Sequence, residues 1–581
     1  MKHDIELLIS QALDDLALVV GDKPIQIEET RDKKFGDYAS NIAMVLAKGL
    51  KMAPRDLAQD IVEHLPHSPL IDKVEIAGAG FINFFVNHHA VFKVIEQILG
   101  QGTAYGRSHY GQGKKVHMEI VSANPTGPLH VGHGRLAAVG GVCADLLAAI
   151  GYEVHREYYI NDAGRQMDIL ALSVWLRYLE LFQTLPLFPS NAYQGDYVLE
   201  IAQDLHQQAG ERYVHPLEAV FKDIGITEPA AEAQESYMDN LIARAKTLLG
   251  PSDYKVVFQQ GLQAVLSDIR NDLEEFGIHY QNWYSEQSLH DSGAIQASLT
   301  QLEQAGHLYQ KEGATWLRTT VFGDEDDRVV IRHNGQPTYF APDIAYHHEK
   351  FARGFDWVVD ELGSDHHGYV PRLRAALKAQ GDDPDKLSVI FIQFVNLYRG
   401  TEKISMSTRK GSFVTLRELR QEVGNDATRF FYIMRKSEQH LDFDMELAKS
   451  RSNENPVYYI QYAYARIQSV LRQLAEKGWE WDINTGLATL AHLNTSHEIE
   501  LMQQLQRYPT IVQQAALKHE PHILCHYLRD LAHAFHTYYN AHAFLVENHE
   551  LRNARLSLVQ ACSQVICNGL QLLNISTPET M

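Results

Sequence analysis

Apolar residues recur at helical spacing after Val131: Leu136, Val139, Val142, Leu146, Leu147 and Ile150 follow one another until Gly151 ends the run. Just upstream, KVHMEIV (115–121) predicts a strand, and 152–160 predicts another, so the three segments make a βαβ unit. Towards the N-terminus the pattern predicts helices over 5–19, 38–50 and 54–64 and strands around 74–77 and 80–86. These form a small α+β unit, residues 1–110, ended by the glycine-rich stretch GTAYGRSHYGQGKK. A mostly helical region, about 161–291, interrupts the α/β part, whose sheet strands resume near 329–332, 357–359 and 387–394. If PTYFAPDIAYHHEK is helical after Pro337, Tyr339 and Asp343 share a face. From 455 onward the pattern is helical throughout, with a clear interhelical loop at 479–486.

Length and composition narrow the class. A chain of 581 residues is too long for one core and suggests three or four domains of roughly 150 residues. The N-terminal MKHDIELLISQALDDL mixes acids among apolar residues, unlike a signal peptide, and no uninterrupted apolar span is long enough to cross a membrane. Cytoplasm is the expected compartment. The cysteines at 143, 525, 562 and 567 form no CxxC pair, so neither structural zinc nor a disulfide framework is expected. The net charge of -21 by itself argues against a nucleic-acid partner. Charge is local, however: between 396 and 436 nine Lys or Arg face four acids, a local +5 that can serve a polyanion.

The chemistry concentrates in SANPTGPLHVGHGR (122–135), where strand gives way to helix. A helix N-terminus at the end of a sheet strand offers N–H groups and partial positive charge to an anion. His130 and His133 are three apart, so both rings face one bound group, and Gly132 and Gly134 remove side chains that would keep a nucleotide off the backbone. The plainer reading is a glycine-rich turn with two solvated histidines; a zinc reading of HxxH needs further ligands, and Cys143 is ten residues further along the same helix. A second strand, turn and helix start is ELGSDHHGYVPRLRAAL, where Gly363 permits close approach and Asp365 can accept from ribose hydroxyls. NPVYYIQYAYARI (455–467) carries four tyrosines and Arg466, able either to stack unpaired bases or to build a bundle core; the spacing does not decide.

ANPTGPLHVGHGR resembles the HIGH signature of class I aminoacyl-tRNA synthetases in the form typical of the arginyl-tRNA synthetase family, and the likeness extends along nearly the whole chain. The resemblance implies an α/β fold: a Rossmann-like catalytic domain over 111–454 with helical insertions, an α+β N-terminal domain over 1–110 that cradles the tRNA elbow, and an all-α anticodon-binding domain over 455–581. It implies ATP with magnesium, L-arginine and tRNA(Arg) as partners, no membrane, attack by the terminal 2′-hydroxyl, a monomer, and adenylate formation that needs tRNA. No metal-ligating residues are expected.

Residue by residue, it assigns His130 and His133 to the transition state. ATP contacts fall on Pro128, His130, Gly132, His133, Gly363, Asp365, His366, Met406 and Ser407. The arginine contacts are Glu119, Ser122, Asn124, Tyr339 and Asp343, with His133 near the substrate carboxylate. A guanidinium is a planar five-donor fork, which suits carboxylates in fixed geometry. KFGDYASNIAMVLAK resembles the family's N-terminal domain and puts Phe35 and Asn41 against tRNA. NPVYYIQYAYARI and YLRDLAHAFHTYYN resemble its anticodon-binding domain, with Tyr458, Tyr462 and Arg466 expected at the anticodon loop.

The second class signature, KMSKS, is altered here to KISMSTRKG (403–411). Aligned on Met406 and Ser407, its lysines fall on Ser405 and Thr408 and its last serine on Arg409. Arg409 and Lys410 are the expected replacement cations, with Lys403 upstream. Some members of the family use a lysine before the HIGH strand instead, where Lys114 and Lys115 stand. Two rival readings remain: a nucleotidyl transferase joining an amino acid to a small molecule, and a non-catalytic tRNA-binding relative. The first has no need of the outer domains, the second no need of the histidines.

Overall fold

Alternation along the strands puts Met118 and Ile120 on one side of a sheet and His117 and Glu119 on the other, and the packing on each side follows from that pattern. The computed structural model describes residues 2–16, 18, 25–30, 32–68, 71–227, 229–404 and 414–581. Its central sheet is parallel and five-stranded: β1 (Lys115–Glu119), β2 (Glu153–Ile160), β3 (Asn282–Ser285), β4 (Trp357–Gly363) and β5 (Leu387–Ile392). The spatial order is β5-β4-β1-β2-β3, with β1 and β4 adjacent. Strand order reverses between β1 and β4, so a ligand crevice is expected beyond the carboxyl ends of those two strands.

Helix α1 (Val131–Ala149) follows β1 and is buried almost all round, not along a single stripe. Ser496–Lys518 and Asn425–Ile433 cover the side that the sheet leaves open. Gly140 and Gly141 allow that fit: a Cβ at Gly140 would stand 2.7 Å from Ile120 Cγ2, and one at Gly141 would stand 2.3 Å from Ile278 Cδ1. The opposite face of the sheet carries α2 (Phe340–Ala352).

Several expected elements differ. The region after 160 is helical, including Arg165–Glu180, Asp196–Ala209 and Gln234–Glu275, but it closes with β3, which returns to the sheet edge. The strand expected at 329–332 is Arg328–Ile331 and belongs to a separate three-stranded antiparallel sheet. In the N-terminal unit, residues 38–40 form a strand ahead of the helix Ile42–Leu50, and two further elements, Ile27–Glu29 and His88–Gln101, were not anticipated. The expected loop at 479–486 contains the start of a short helix, Ile483–Ala488, capped by Asp482. No described helix is long and apolar enough to cross a membrane.

Candidate active site

The two histidines of the signature cap their own helix. His130 is the N-cap residue of α1; its Nδ1 accepts from the Gly132 N–H at 3.1 Å and the His133 N–H at 3.3 Å, while His133 Nδ1 accepts from the His130 N–H at 3.3 Å. Their rings stack at 3.6 Å. The expected open amides at this helix start are therefore corrected: those of Gly132 and His133 are already occupied by a ring nitrogen. Burial lowers the pKa of both rings, for His133 well below its ordinary 6.5. In a neutral imidazole whose Nδ1 accepts, the proton sits on Nε2. Each ring is thus fixed as an Nε2–H donor.

Arg135 anchors this helix start to the chain beyond β5. Its buried guanidinium donates to the carbonyls of Gln393 (2.8 Å), Gln439 (2.7 Å) and Lys436 (3.0 Å). Leu416 N–H donates to the Leu129 carbonyl at 2.8 Å, and Thr415 bridges to His130. Met406, Ser407, Arg409 and Lys410 lie outside the described residues, but the chain leaving that stretch runs directly past His130.

On the other face, Glu119 and Asp360 are directly opposite on β1 and β4. Like charges in that relation repel. Lys350, fully buried on α2, bridges them, at 2.6 Å to Glu119 and 2.8 Å to Asp360. His347, one turn earlier, donates to Asp360 at 2.7 Å and is 3.0 Å from Asp343 Oδ1, and the Tyr369 hydroxyl donates to Asp343. Burial and Lys350 push the His347 pKa down, yet Asp343 and Asp360 outweigh them and raise it to about 10. Burial opposes ionisation of Asp360, but Lys350 and His347 hold its pKa well below the usual range. Asp343, likewise against the burial penalty, is lowered by His347 and Tyr369. Three carboxylates against two cations leave one negative charge among these five groups. Tyr159 adjoins the ladder, donating to Glu286 at 2.9 Å, with burial and then Glu286, Asp343 and Glu119 raising its pKa.

The remaining sequence candidates divide. Ser122 Oγ accepts from the Tyr159 N–H at 3.0 Å, Asn124 is exposed beside it, and Pro128 precedes the histidine pair. Gly363 ends β4, followed at once by exposed Asp365 and His366, all at the carboxyl edge with the histidine pair. Tyr339 sits at the start of α2 and is 66% exposed, so only Asp343 of that pair turns inward. Lys115 is not brought to this edge. It begins β1, and five residues at about 3.3 Å each put it roughly 15 Å away at the amino end. Sequence reasoning passed over Lys350, His347, Asp360 and Tyr159. The spacing of Asp343, His347 and Lys350, at i, i+4 and i+7, was the available signal.

Four of the nine cations in the stretch 396–436 pair with acids of this chain. Arg417 and Arg420 pair with Asp272, Arg399 pairs with Glu422, Lys436 with Glu520, and Arg429 is buried on the carbonyls of Phe276 and Leu573. On the C-terminal helix Pro456–Glu476, Tyr458 stacks on Tyr462 at 5.9 Å and Arg466 lies 4.5 Å over Tyr462 and 4.7 Å over Tyr539. These groups form a half-buried ladder, while Tyr459 and Tyr464 pack against the core. In the N-terminal unit Phe35 is exposed under Lys34, and Asn41 is the N-cap residue of Ile42–Leu50.

A nucleotide-type sheet with an HxGH helix start at its switch point defines the catalytic class: the family model for class I (R) tRNA synthetase catalytic domains matches residues 94–184 and 211–452. The arginyl-tRNA synthetase N-terminal domain matches 3–86, and the DALR anticodon binding domain matches 460–581. Arginine–tRNA ligases of Thioalkalivibrio sulfidiphilus and Coxiella burnetii are 56% and 54% identical, each over 100% of this chain and of the relative. A crystal structure titled as a putative arginyl-tRNA synthetase from Campylobacter jejuni superposes with a TM-score of 0.72 at 30% identity, covering 85% of this chain and 100% of the other. The Thermus thermophilus arginyl-tRNA synthetase has the same fold, with a TM-score of 0.75 at 24% identity, covering both chains fully. The chain belongs to the arginyl-tRNA synthetase family.

Proposed function

We propose that this chain is an arginine–tRNA ligase that activates L-arginine with ATP and passes the arginyl group to the terminal adenosine of tRNA(Arg). A carboxylate oxygen of arginine attacks the α-phosphorus, the bond to the β-phosphate oxygen breaks, and pyrophosphate leaves. The 2′-hydroxyl of the tRNA then attacks the arginyl carbonyl and AMP departs. Charge gathers on phosphate oxygens in the first step, so positioned donors are what the protein must supply. The Nε2–H groups of His130 and His133 fill that role, with Arg409 and Lys410 as loop cations. Pro128, Gly132, Gly363, Asp365, His366, Met406 and Ser407 surround the nucleotide.

The observation that carries the reading is the charge of the ladder on α2. Its three carboxylates outnumber its two basic side chains, which leaves acceptors for one guanidinium entering between Glu119 and Asp343. Ser122 and Asn124 hold the other end of the amino acid, and Tyr339 flanks it. Among the described residues no group of three or more His, Cys, Asp or Glu is placed to hold a metal ion. Magnesium would enter with the ATP phosphates. Phe35 and Asn41 would meet the tRNA elbow and Tyr458, Tyr462 and Arg466 the anticodon loop. The protein acts as a cytoplasmic monomer.

A charging assay with arginine, lysine and total tRNA tests this. Arginine alone should be esterified to tRNA, and ATP–pyrophosphate exchange should stay low until tRNA is added. tRNA binding without charging would instead support the non-catalytic relative, and exchange without any tRNA acceptor the small-molecule transferase.

A further inference from the structure

The chain leaving β1 makes an unusual turn. Ser122 N–H donates to the Ile120 carbonyl at 2.9 Å, closing a three-residue turn around Val121. Val121 has φ +68° and Ser122 φ +43°. This is the γ-turn with positive φ, the rarer and strained form, and a β-branched residue is poorly suited to it. Such backbone persists only where the surroundings over-determine it.

The surroundings do so here. Tyr280 donates to the Ile120 carbonyl, Tyr158 to that of Ala123 and Tyr197 to that of Thr126, while Ser122 Oγ is held by the Tyr159 N–H. At the centre, the Val121 N–H donates to Glu361 Oε2 at 3.3 Å. Glu361 is buried on β4 and points to the α1 side, and its Oε1 is enclosed with no hydrogen-bond partner. Burial raises its pKa well above 4.5, which favours the neutral acid. A Cβ at Gly140 would stand 3.0 Å from the same Oε2, so α1 presses the carboxyl group onto the turn.

We propose that Glu361 is a positioning residue for arginine binding: it holds the Val121 amide and so fixes the left-handed turn that aims Ser122 and Asn124 at the amino acid. The inference rests on the assignment of Ser122 and Asn124 to arginine. Among the described residues no cation pairs with this buried acid, whereas a strained turn next to substrate contacts needs an anchor.

The test is steady-state charging at varied arginine and varied ATP. Glu361→Met should raise KM for arginine about ten-fold, the scale of one lost buried hydrogen bond, with KM for ATP within about two-fold. Glu361→Gln, which keeps a neutral acceptor, should stay within about two-fold of wild type on both. Adding Val121→Gly to Glu361→Met should recover much of the arginine affinity, because glycine adopts φ +68° without the anchor. Glu361→Leu also removes the acceptor and should reproduce the selective arginine effect, so it decides the matter if Glu361→Met does not fold. Equal impairment of the Gln and Met variants, a parallel rise in both KM values, or no recovery with Val121→Gly would overturn the proposal. Asn124→Ala separates the two layers: if it leaves KM for arginine unchanged, the assignment of the contacts fails; if it raises KM while Glu361→Met does not, only the positioning role fails.

Discussion

Asp360 and Glu361 are neighbours in the chain, equally buried, and in opposite states of ionisation. Asp360 points to the α2 face, where Lys350 and His347 reach it, and its charge is kept. Glu361 points to the α1 face, among Ile120, Val121 and Gly140, and its charge is lost. The histidines divide the same way: His347 is held as a cation by two carboxylates, and His130 and His133 on α1 are held neutral. Burial is common to all of them and penalises charge everywhere; what differs is whether an opposite charge was buried alongside. One face of the sheet thereby holds paired charges and the other neutral hydrogen-bonding groups. The two faces meet at the carboxyl ends of β1 and β4, where an amino acid and a nucleotide must react.

The contrast can be broken most severely at Lys350. Lys350→Met should leave Glu119 facing Asp360 with no cation between them and only His347 on the far oxygen of Asp360, and cost about 3–5 kcal/mol, read as a lower urea midpoint. An unchanged midpoint near neutral pH would mean that the α2 face does not depend on its internal cation. On the α1 side, His133→Ala should slow adenylate formation by about 10²–10³-fold, the scale of a lost oxyanion donor, with tRNA affinity in filter binding little altered. Full activity would remove that ring from the reaction.

The finest test uses pH. Glu361 keeps a proton in the native state that the unfolded chain gives up above 4.5, so native stability falls as pH rises from there towards the raised native pKa. Glu361→Gln has no proton to lose. Its stability advantage over wild type should be smallest at acid pH and grow by at most about 1.4 kcal/mol per pH unit as pH rises above 4.5, levelling off at the raised native pKa. A gap that narrows with rising pH would show Glu361 ionised and erase its difference from Asp360.

Much of this was legible beforehand where the information is local. The spacing of apolar residues after Val131 marked α1, and HxGH marked where that helix begins, because a helix register and a two-histidine turn need only near neighbours in sequence. The burial of α1 on all sides was not legible, since Ser496–Lys518 arrives from several hundred residues away. Nor was the fate of the basic stretch 396–436: counting charges gave +5, but Arg417 and Arg420 answer to acids on Gln234–Glu275.

By itself the sequence determined the order of elements, the place of the nucleotide signature and the membership of a family, all properties of residues read in a line. Only the tertiary structure decided which groups are charged, that Lys350 rather than solvent faces Glu119, that His130 and His133 consume the helix amides, and that Lys115 stands at the far end of its strand. The physical reason is that ionisation and pairing depend on distances of a few ångströms between residues such as Glu119 and Lys350, which lie 231 positions apart in the chain.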